Sequence, residues 1–370
     1  MPPAAANDHL PFGLDWCHCG GMISRLRSAA GKLLRLLAKP VRRTDSQGPI
    51  VIDTFRGYAS KDALFMMGRV MHQPEGDGPG DFSDSASLWN VIRRMRRRGV
   101  SGARLIATVD SQRQGLITDR DGYFSLRMRF RQPLLPHRAT ARVHLQLIKP
   151  AIAEAVGEVL VAPPSARFMV ISDFDDTVVA TGVANKIRMI SRMLMRSAES
   201  RVAFAGVAEL YRQLGDGAGG HEQNPLLYVS RGPWVIYETL EAFFKLHRFP
   251  ERPVLFLREW GLRFRPPFVR SDHDHKIEII NELMAVSPDL PVVLIGDSGQ
   301  HDPEMYDDVI RSWPGRVRLV LIRDVTSGAR DEAVAELAQH PDVPFVLAET
   351  SAEMAAAAAA AGLIETGRRG

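Results

Sequence analysis

FMVISDFDDT, residues 168–177, runs from an apolar stretch directly into three aspartates. An uncharged, partly β-branched run of this length reads as a strand buried on both faces, ended by an acidic loop. The pattern recurs downstream in LLYVS (226–230), VLFL (254–257), VVLIG (292–296), VRLVLI (317–322) and FVLA (345–348), with helical stretches between them. Near-continuous apolar strands alternating with helices predict an α/β fold, a parallel sheet with helices on both faces. In such a sheet ligands bind at the carboxyl ends of the strands, so the residues just after each run are the candidates for chemistry.

Four groups occupy those positions. Asp173 and Asp175 follow the first run, with Thr177 two residues on. Ser230 closes the second run and precedes Arg231. Lys276 begins the helical stretch HKIEIINELM (275–284), just before the fourth run. Asp297 follows the fourth run in GDSGQHD (296–302), which ends on Asp302.

Hydrolysis of a phosphate ester demands such a set. Nucleophile and phosphate are both anionic, so a divalent cation has to shield their repulsion. Mg²⁺ takes hard oxygen ligands; Asp173 and Asp297 can supply carboxylates from neighbouring strand ends, with Asp175 and Asp302 as the further candidate metal ligands. Asp175, two residues beyond Asp173, projects to the same side while the strand persists and suits a proton donor for the leaving group. Ser230 and Lys276 are donors for phosphoryl oxygens. Any one of these residues alone is unremarkable: a serine or lysine after a strand is usually a turn hydroxyl or a solvated ammonium. A second D-x-D, Asp119 and Asp121 in TDRDGYF (118–124), reads as a hairpin turn. The order of the parts on successive strand ends carries the argument.

Together the DFDDT cluster, Ser230, Lys276 and GDSGQHD resemble the four motifs of the haloacid dehalogenase superfamily. That resemblance implies a Rossmann-like domain. Within it Asp173 is the nucleophile, forming an aspartyl-phosphate, and Asp175 is first acid and then base. It further implies Mg²⁺ held by Asp173, the backbone carbonyl of Asp175, and Asp297. SDFDDTVVATGV, YVSRGPW, HKIEIINEL and GDSGQHDPEMY are similar, more narrowly, to the catalytic domain of the actin-patch-type phosphatidate phosphatases. RGYASKDALFMMGRV (56–70) and TDRDGYF resemble the β-rich region that precedes it in bacterial relatives. The implied reaction converts phosphatidate to diacylglycerol. Arg231 departs from the small polar residue expected after the motif serine in fungal members, and a guanidinium there could select a different or doubly anionic phosphate. A soluble phosphate ester, or a membrane-binding scaffold on a phosphatase fold, are the alternatives.

Outward from this core the chain divides into a tail (1–49), a β-rich region (50–162) and the α/β region (163–370), with a short helical cap over 183–202. In the β-rich part LFMMGRVM (64–71), ARLIATVD (103–110), YFSLRMRF (123–130) and ARVHLQLI (141–148) suggest a small antiparallel β-sandwich. The loop-like 73–87 and a helical stretch at 88–98 separate the first two. Residues 22–43 hold seven Lys or Arg and no acid. Apolar Ile23, Leu26, Ala30, Leu33, Leu34 and Leu37 share one helical face there, which suits an anionic membrane surface or packing on the protein itself. The basic stripe Lys186, Arg188, Arg192 and Arg196 of the cap reads either as a membrane-facing surface or as an ordinary solvated face. Arg258, Arg263, Arg265 and Arg270 around Trp260 suit a lipid interface or a nucleic acid alike, and no nucleic-acid partner is expected.

Net charge is only +4, from 47 basic and 43 acidic residues, so the clustering of charge says more than its total. Cys17 and Cys19, flanking His18, fall short of a disulfide framework or a four-ligand zinc site. No apolar run is long enough to span a bilayer, and Met1 to Pro11 lack the pattern of a secretory signal. The expected setting is cytoplasmic, peripheral to a membrane.

Overall fold

The computed structural model describes residues 48–73, 97–134, 138–173, 205–230, 254–257, 272–326, 331–337 and 340–365, with Tyr237, Phe244 and Phe249 besides. They form two sheets. The first has eight strands: β1 (Ile50–Thr54), β2 (Gly57–Ala59), β3 (Ala63–His72), β4 (Arg104–Val109), β5 (Gln112–Ile117), β6 (Tyr123–Arg129), β7 (Thr140–Lys149) and β8 (Ala153–Val161). The second has six: β9 (Met169–Asp173), β10 (Leu226–Ser230), β11 (Val254–Leu257), β12 (Val292–Asp297), β13 (Val317–Arg323) and β14 (Phe345–Ala348). Helices α1 (Val207–Asp216), α2 (Asp272–Val286), α3 (Asp302–Ser312), α4 (Asp331–Leu337) and α5 (Ser351–Ala360) accompany the second sheet.

All strand pairs in the six-stranded sheet are parallel, in the order β11-β10-β9-β12-β13-β14. Successive side chains point to opposite faces, and both faces are covered. Val170, Tyr228, Ile295 and Leu321 pack with Leu210 and Leu214 of α1 and Met354 of α5. Their neighbours Ile171, Val229, Leu294 and Ile322 pack with Ile280 and Leu283 of α2 and Met305 of α3. Two-sided burial is why these strands read as unbroken apolar runs.

The eight-stranded sheet alternates instead. Leu105, Ala107 and Val109 of β4, Leu126 and Met128 of β6, and Val143 and Leu145 of β7 share one core. The expected antiparallel pairing needs correction in one place: the strands form one hydrogen-bonded sheet that is mixed, because β2 pairs in parallel with β8. Of the helical stretch expected at 88–98, only Arg97 and Arg98 are among the described residues, and they are not helical. Asp119 and Asp121 do lie in a turn, where Asp119 Oδ1 accepts the backbone N–H of Asp121 and of Tyr123, each at 2.9 Å. Gly122 sits there with φ +86°, a conformation that favours glycine.

The first sheet covers the edge of the second. Phe65 of β3 stacks on Phe256 of the edge strand β11 with ring centroids 5.4 Å apart, and Tyr58 of β2 shares a 2.7 Å buried hydrogen bond with Ser287. Arg127 of β6 pairs with Glu282 of α2 at 2.6 Å. Tyr58 and Phe65 belong to the same apolar cluster as Ile171 and Leu294. The passage near residue 162 is therefore a change of sheet without a break in packing, and it shields an exposed strand edge from mispairing. Among the described residues no helix is long and apolar enough to cross a membrane.

Candidate active site

Strand order alone brings three candidates together. β9 lies between β10 and β12, the point where the chain switches direction across the sheet. Val229 pairs with Asp173, which sets Ser230 beside it on one side. Ser172 pairs with Ile295, which sets Asp297 just beyond it on the other. Asp173, Ser230 and Asp297 thus end three adjacent strands, and all three are buried.

Two helices complete the cluster. Lys276 in α2 is buried, and its ammonium donates to Asp173 Oδ2 and to Asp302 Oδ1, both at 2.9 Å. Asp302 opens α3 and accepts the backbone N–H of Asp297 through Oδ2 at 3.3 Å. This close approach of α3 depends on Gly296: a Cβ there would lie 2.7 Å from Asp302 Cβ and 2.8 Å from Tyr306 Cε2. Tyr306 donates to the carbonyl of Ile295 at 2.8 Å and so clamps helix to strand. Burial raises the phenol of Tyr306 well above its usual range, with Asp302 adding to the effect, so it stays a neutral donor.

The carboxylates of Asp173, Asp297 and Asp302 offer oxygens that all lie within 4.8 Å of one another. Burying three carboxylates around one ammonium is costly unless a further cation joins them. Three converging hard oxygens fit Mg²⁺, so the donor set and its charge both suit the expected ion.

Some participants were not singled out from the sequence. Gln300 is buried and its amide donates to Asp297 Oδ2 at 3.1 Å and to Asp173 Oδ2 at 3.4 Å, bridging the two strand ends. Asp297 Oδ1 accepts the N–H of Gly299 at 2.8 Å, which turns the loop back so that Gln300 can reach inward. Ser298 donates to Asp324 Oδ1 at 2.9 Å and fixes that loop against the end of β13. Below Asp173, the Ser172 hydroxyl donates to the Asp173 carbonyl at 2.8 Å, so Tyr211, at 2.5 Å, donates to Ser172. The only sequence signal for Gln300 is its place inside GDSGQHD.

Asp173, Lys276, Asp297 and Asp302 are therefore in direct or near contact, with Ser230 on the adjoining strand. Asp175, Thr177, Arg231, the cap over 183–202, residues 22–43 with Cys17 and Cys19, and the arginines around Trp260 lie outside the described residues.

Residues 168–324 match the family described as phosphatidate phosphatase APP1, catalytic domain. The chain is 29% identical over 161 residues to phosphatidate phosphatase APP1 of Saccharomyces cerevisiae, covering 44% of this chain and 26% of that protein. It is 26% identical over 159 residues to an uncharacterized protein of Schizosaccharomyces pombe, covering 43% of this chain and 25% of that one. The aligned stretch thus spans about a quarter of each relative. A carbohydrate acetylesterase from Xanthomonas citri superposes with a TM-score of only 0.31 at 11% identity, over 85% of this chain and 75% of that one, too loosely to bear on fold or function. Residues 168–324 are therefore similar, in sequence, to the catalytic domain of phosphatidate phosphatase APP1.

Proposed function

We propose that this chain is a phosphoric monoester hydrolase of the haloacid dehalogenase type, and that it removes phosphate from phosphatidate to leave diacylglycerol. The observation that carries this reading is the buried Asp173 carboxylate at a strand end, bonded to Lys276 and within reach of Asp297 and Asp302. Mg²⁺ held by Asp173, Asp297 and Asp302 would screen the negative charge of an incoming phosphate.

In this reading an Asp173 oxygen attacks phosphorus and the bond to the diacylglycerol oxygen breaks. Asp175 gives that oxygen its proton. Asp175 then takes a proton from water, which attacks the phosphorus of the aspartyl-phosphate; inorganic phosphate leaves and the Asp173 carboxylate is restored. Lys276 orients Asp173 through their ion pair, while Ser230 would donate to a phosphoryl oxygen. Gln300 holds the facing carboxylates of Asp173 and Asp297 in register. The enzyme would work at a cytoplasmic membrane surface, with residues 22–43 against anionic lipid. Arg231, beside Ser230 in the chain, is what favours the second reading, a soluble and more highly charged phosphate ester.

A substrate panel separates the two. Phosphate release is measured from phosphatidate in mixed micelles and from nucleotide and sugar phosphates, with Mg²⁺ and with a chelator. The expected result is Mg²⁺-dependent release that is fastest from phosphatidate. Turnover of a soluble ester faster by orders of magnitude would replace the lipid reading.

A further inference from the structure

The described residues include four large apolar side chains that are well exposed: Ile117 (67%), Ile148 (42%), Ile152 (84%) and Val156 (53%). All four belong to the β4–β5 and β7–β8 hairpins of the eight-stranded sheet. Leu105 and Leu116 pair across β4 and β5 and face the core, so the next pair, Arg104 and Ile117, faces outward. On the neighbouring strand Leu147 points inward and Ile148 outward, and Lys149 pairs with Arg104. Ile152 lies in the connection from β7 to β8, between Lys149 and Ala153. One end of the sheet therefore presents three isoleucines beside two exposed cations, Arg104 and Lys149. Two acids near this end, Glu154 and Asp119, accept hydrogen bonds from neighbouring residues and keep their charge. Glu154 accepts from the Gln146 amide at 3.2 Å, and Asp119 caps its own turn.

Single exposed apolar residues need no explanation, but an apolar cluster rimmed by basic residues marks a contact surface. The composition and place of this one select the partner. Ile117 and Ile148 on the outer face of the sheet, with Ile152 in the β7–β8 turn beside them, form one apolar patch at the sheet end, which suits contact with the boundary between headgroups and acyl chains. Arginine and lysine beside such a patch are drawn to anionic headgroups while their aliphatic stems stay in the apolar layer.

We infer that the end of the eight-stranded sheet formed by Ile117, Ile148, Ile152, Arg104 and Lys149 docks on an anionic lipid bilayer. This rests on the phosphatidate reading for its purpose, since it holds the enzyme on the surface that contains its substrate. It does not rest on that reading for its test.

The full chain, residues 22–43 included, is sedimented with vesicles of phosphatidylcholine containing phosphatidylserine, which is not a substrate in the proposed reaction. Ile117→Asp with Ile152→Asp is expected to weaken binding at least about tenfold. Arg104→Gln with Lys149→Gln is expected to weaken it and to flatten its salt dependence. Both variants should keep the wild-type circular dichroism, because the altered side chains are exposed. Undiminished vesicle binding by the double aspartate variant overturns the proposal. So does a variant that binds vesicles normally but has lost a dimer in sedimentation velocity, which would assign the patch to a second copy of the chain. Hydrolysis of a soluble aryl phosphate is measured alongside: a chain that releases no phosphate but loses binding in the variant keeps the docking surface and loses the phosphatase reading.

Discussion

In β12 every residue from Val292 to Asp297 is buried, whereas in β7 buried Ala141, Val143, Leu145 and Leu147 alternate with exposed Arg142 and His144. The first strand sits in a parallel sheet covered on both faces, the second in a mixed sheet with one face in water. Chemistry collects where burial is two-sided. At the carboxyl edge of the parallel sheet a carboxylate is removed from water, so its interactions with Lys276 and Gln300 are strong and fixed. On the outer face of the mixed sheet the same residue types are solvated, and what remains available there is surface for contact.

Lys276 gives the harshest test of this contrast. Lys276→Met keeps the volume but leaves carboxylates of Asp173 and Asp302 without the ammonium they share. Removing one partner of a buried pair costs about 3–5 kcal/mol. The counterpart, Arg142→Met on the outer face of β7, should change stability by no more than about 0.5 kcal/mol. Urea midpoints of the two variants check this, and equal effects would abolish the contrast.

A smaller effect should appear at high pH. Burial is the main cause that raises the phenols of Tyr58, Tyr211, Tyr228 and Tyr306 above the usual tyrosine range. In the unfolded chain tyrosine ionises near pH ~10. Above that pH the folded state holds more protons than the unfolded state, so stability is constant below it and falls as pH rises beyond it. Three of these tyrosines, in α1, β10 and α3, belong to the parallel sheet and its helices; Tyr58 lies at the joint between the sheets. Absorbance titration should show them ionising only as the protein unfolds. Reversible ionisation near pH ~10 with the fold intact would show that these sites are open to water.

What could be read in the sequence follows the same divide. All six parallel strands were legible, because two-sided burial writes an unbroken apolar run. In the mixed sheet β5, QRQGLI, and β8, AEAVGEVLV, were not singled out: the inward side of β5 carries Gln112 and Gln114 with apolar Ile117 on its outer side, and the inward side of β8 begins with Ala153, Ala155 and Gly157. The short β1 and β2 went the same way. In the site, Asp173, Ser230, Lys276, Asp297 and Asp302 were legible because they follow strands in a fixed order. The roles of Gln300 and of Tyr211 were not, since one depends on a loop turning back and the other on a contact between residues 39 apart in sequence. Parallel pairing throughout the second sheet followed from the helical stretches between its runs. The single mixed path of the first sheet did not, because pairing partners leave no mark on a strand's own periodicity.

The central claim is that Asp173 does the phosphoryl chemistry. Asp173→Asn preserves the shape of the side chain and removes its nucleophilic charge. Phosphate release from phosphatidate in mixed micelles with Mg²⁺ is the direct measurement, with circular dichroism to show that the variant folds. The account predicts a loss on the order of a thousandfold or more in a folded protein. Wild-type phosphate release by folded Asp173→Asn would contradict it.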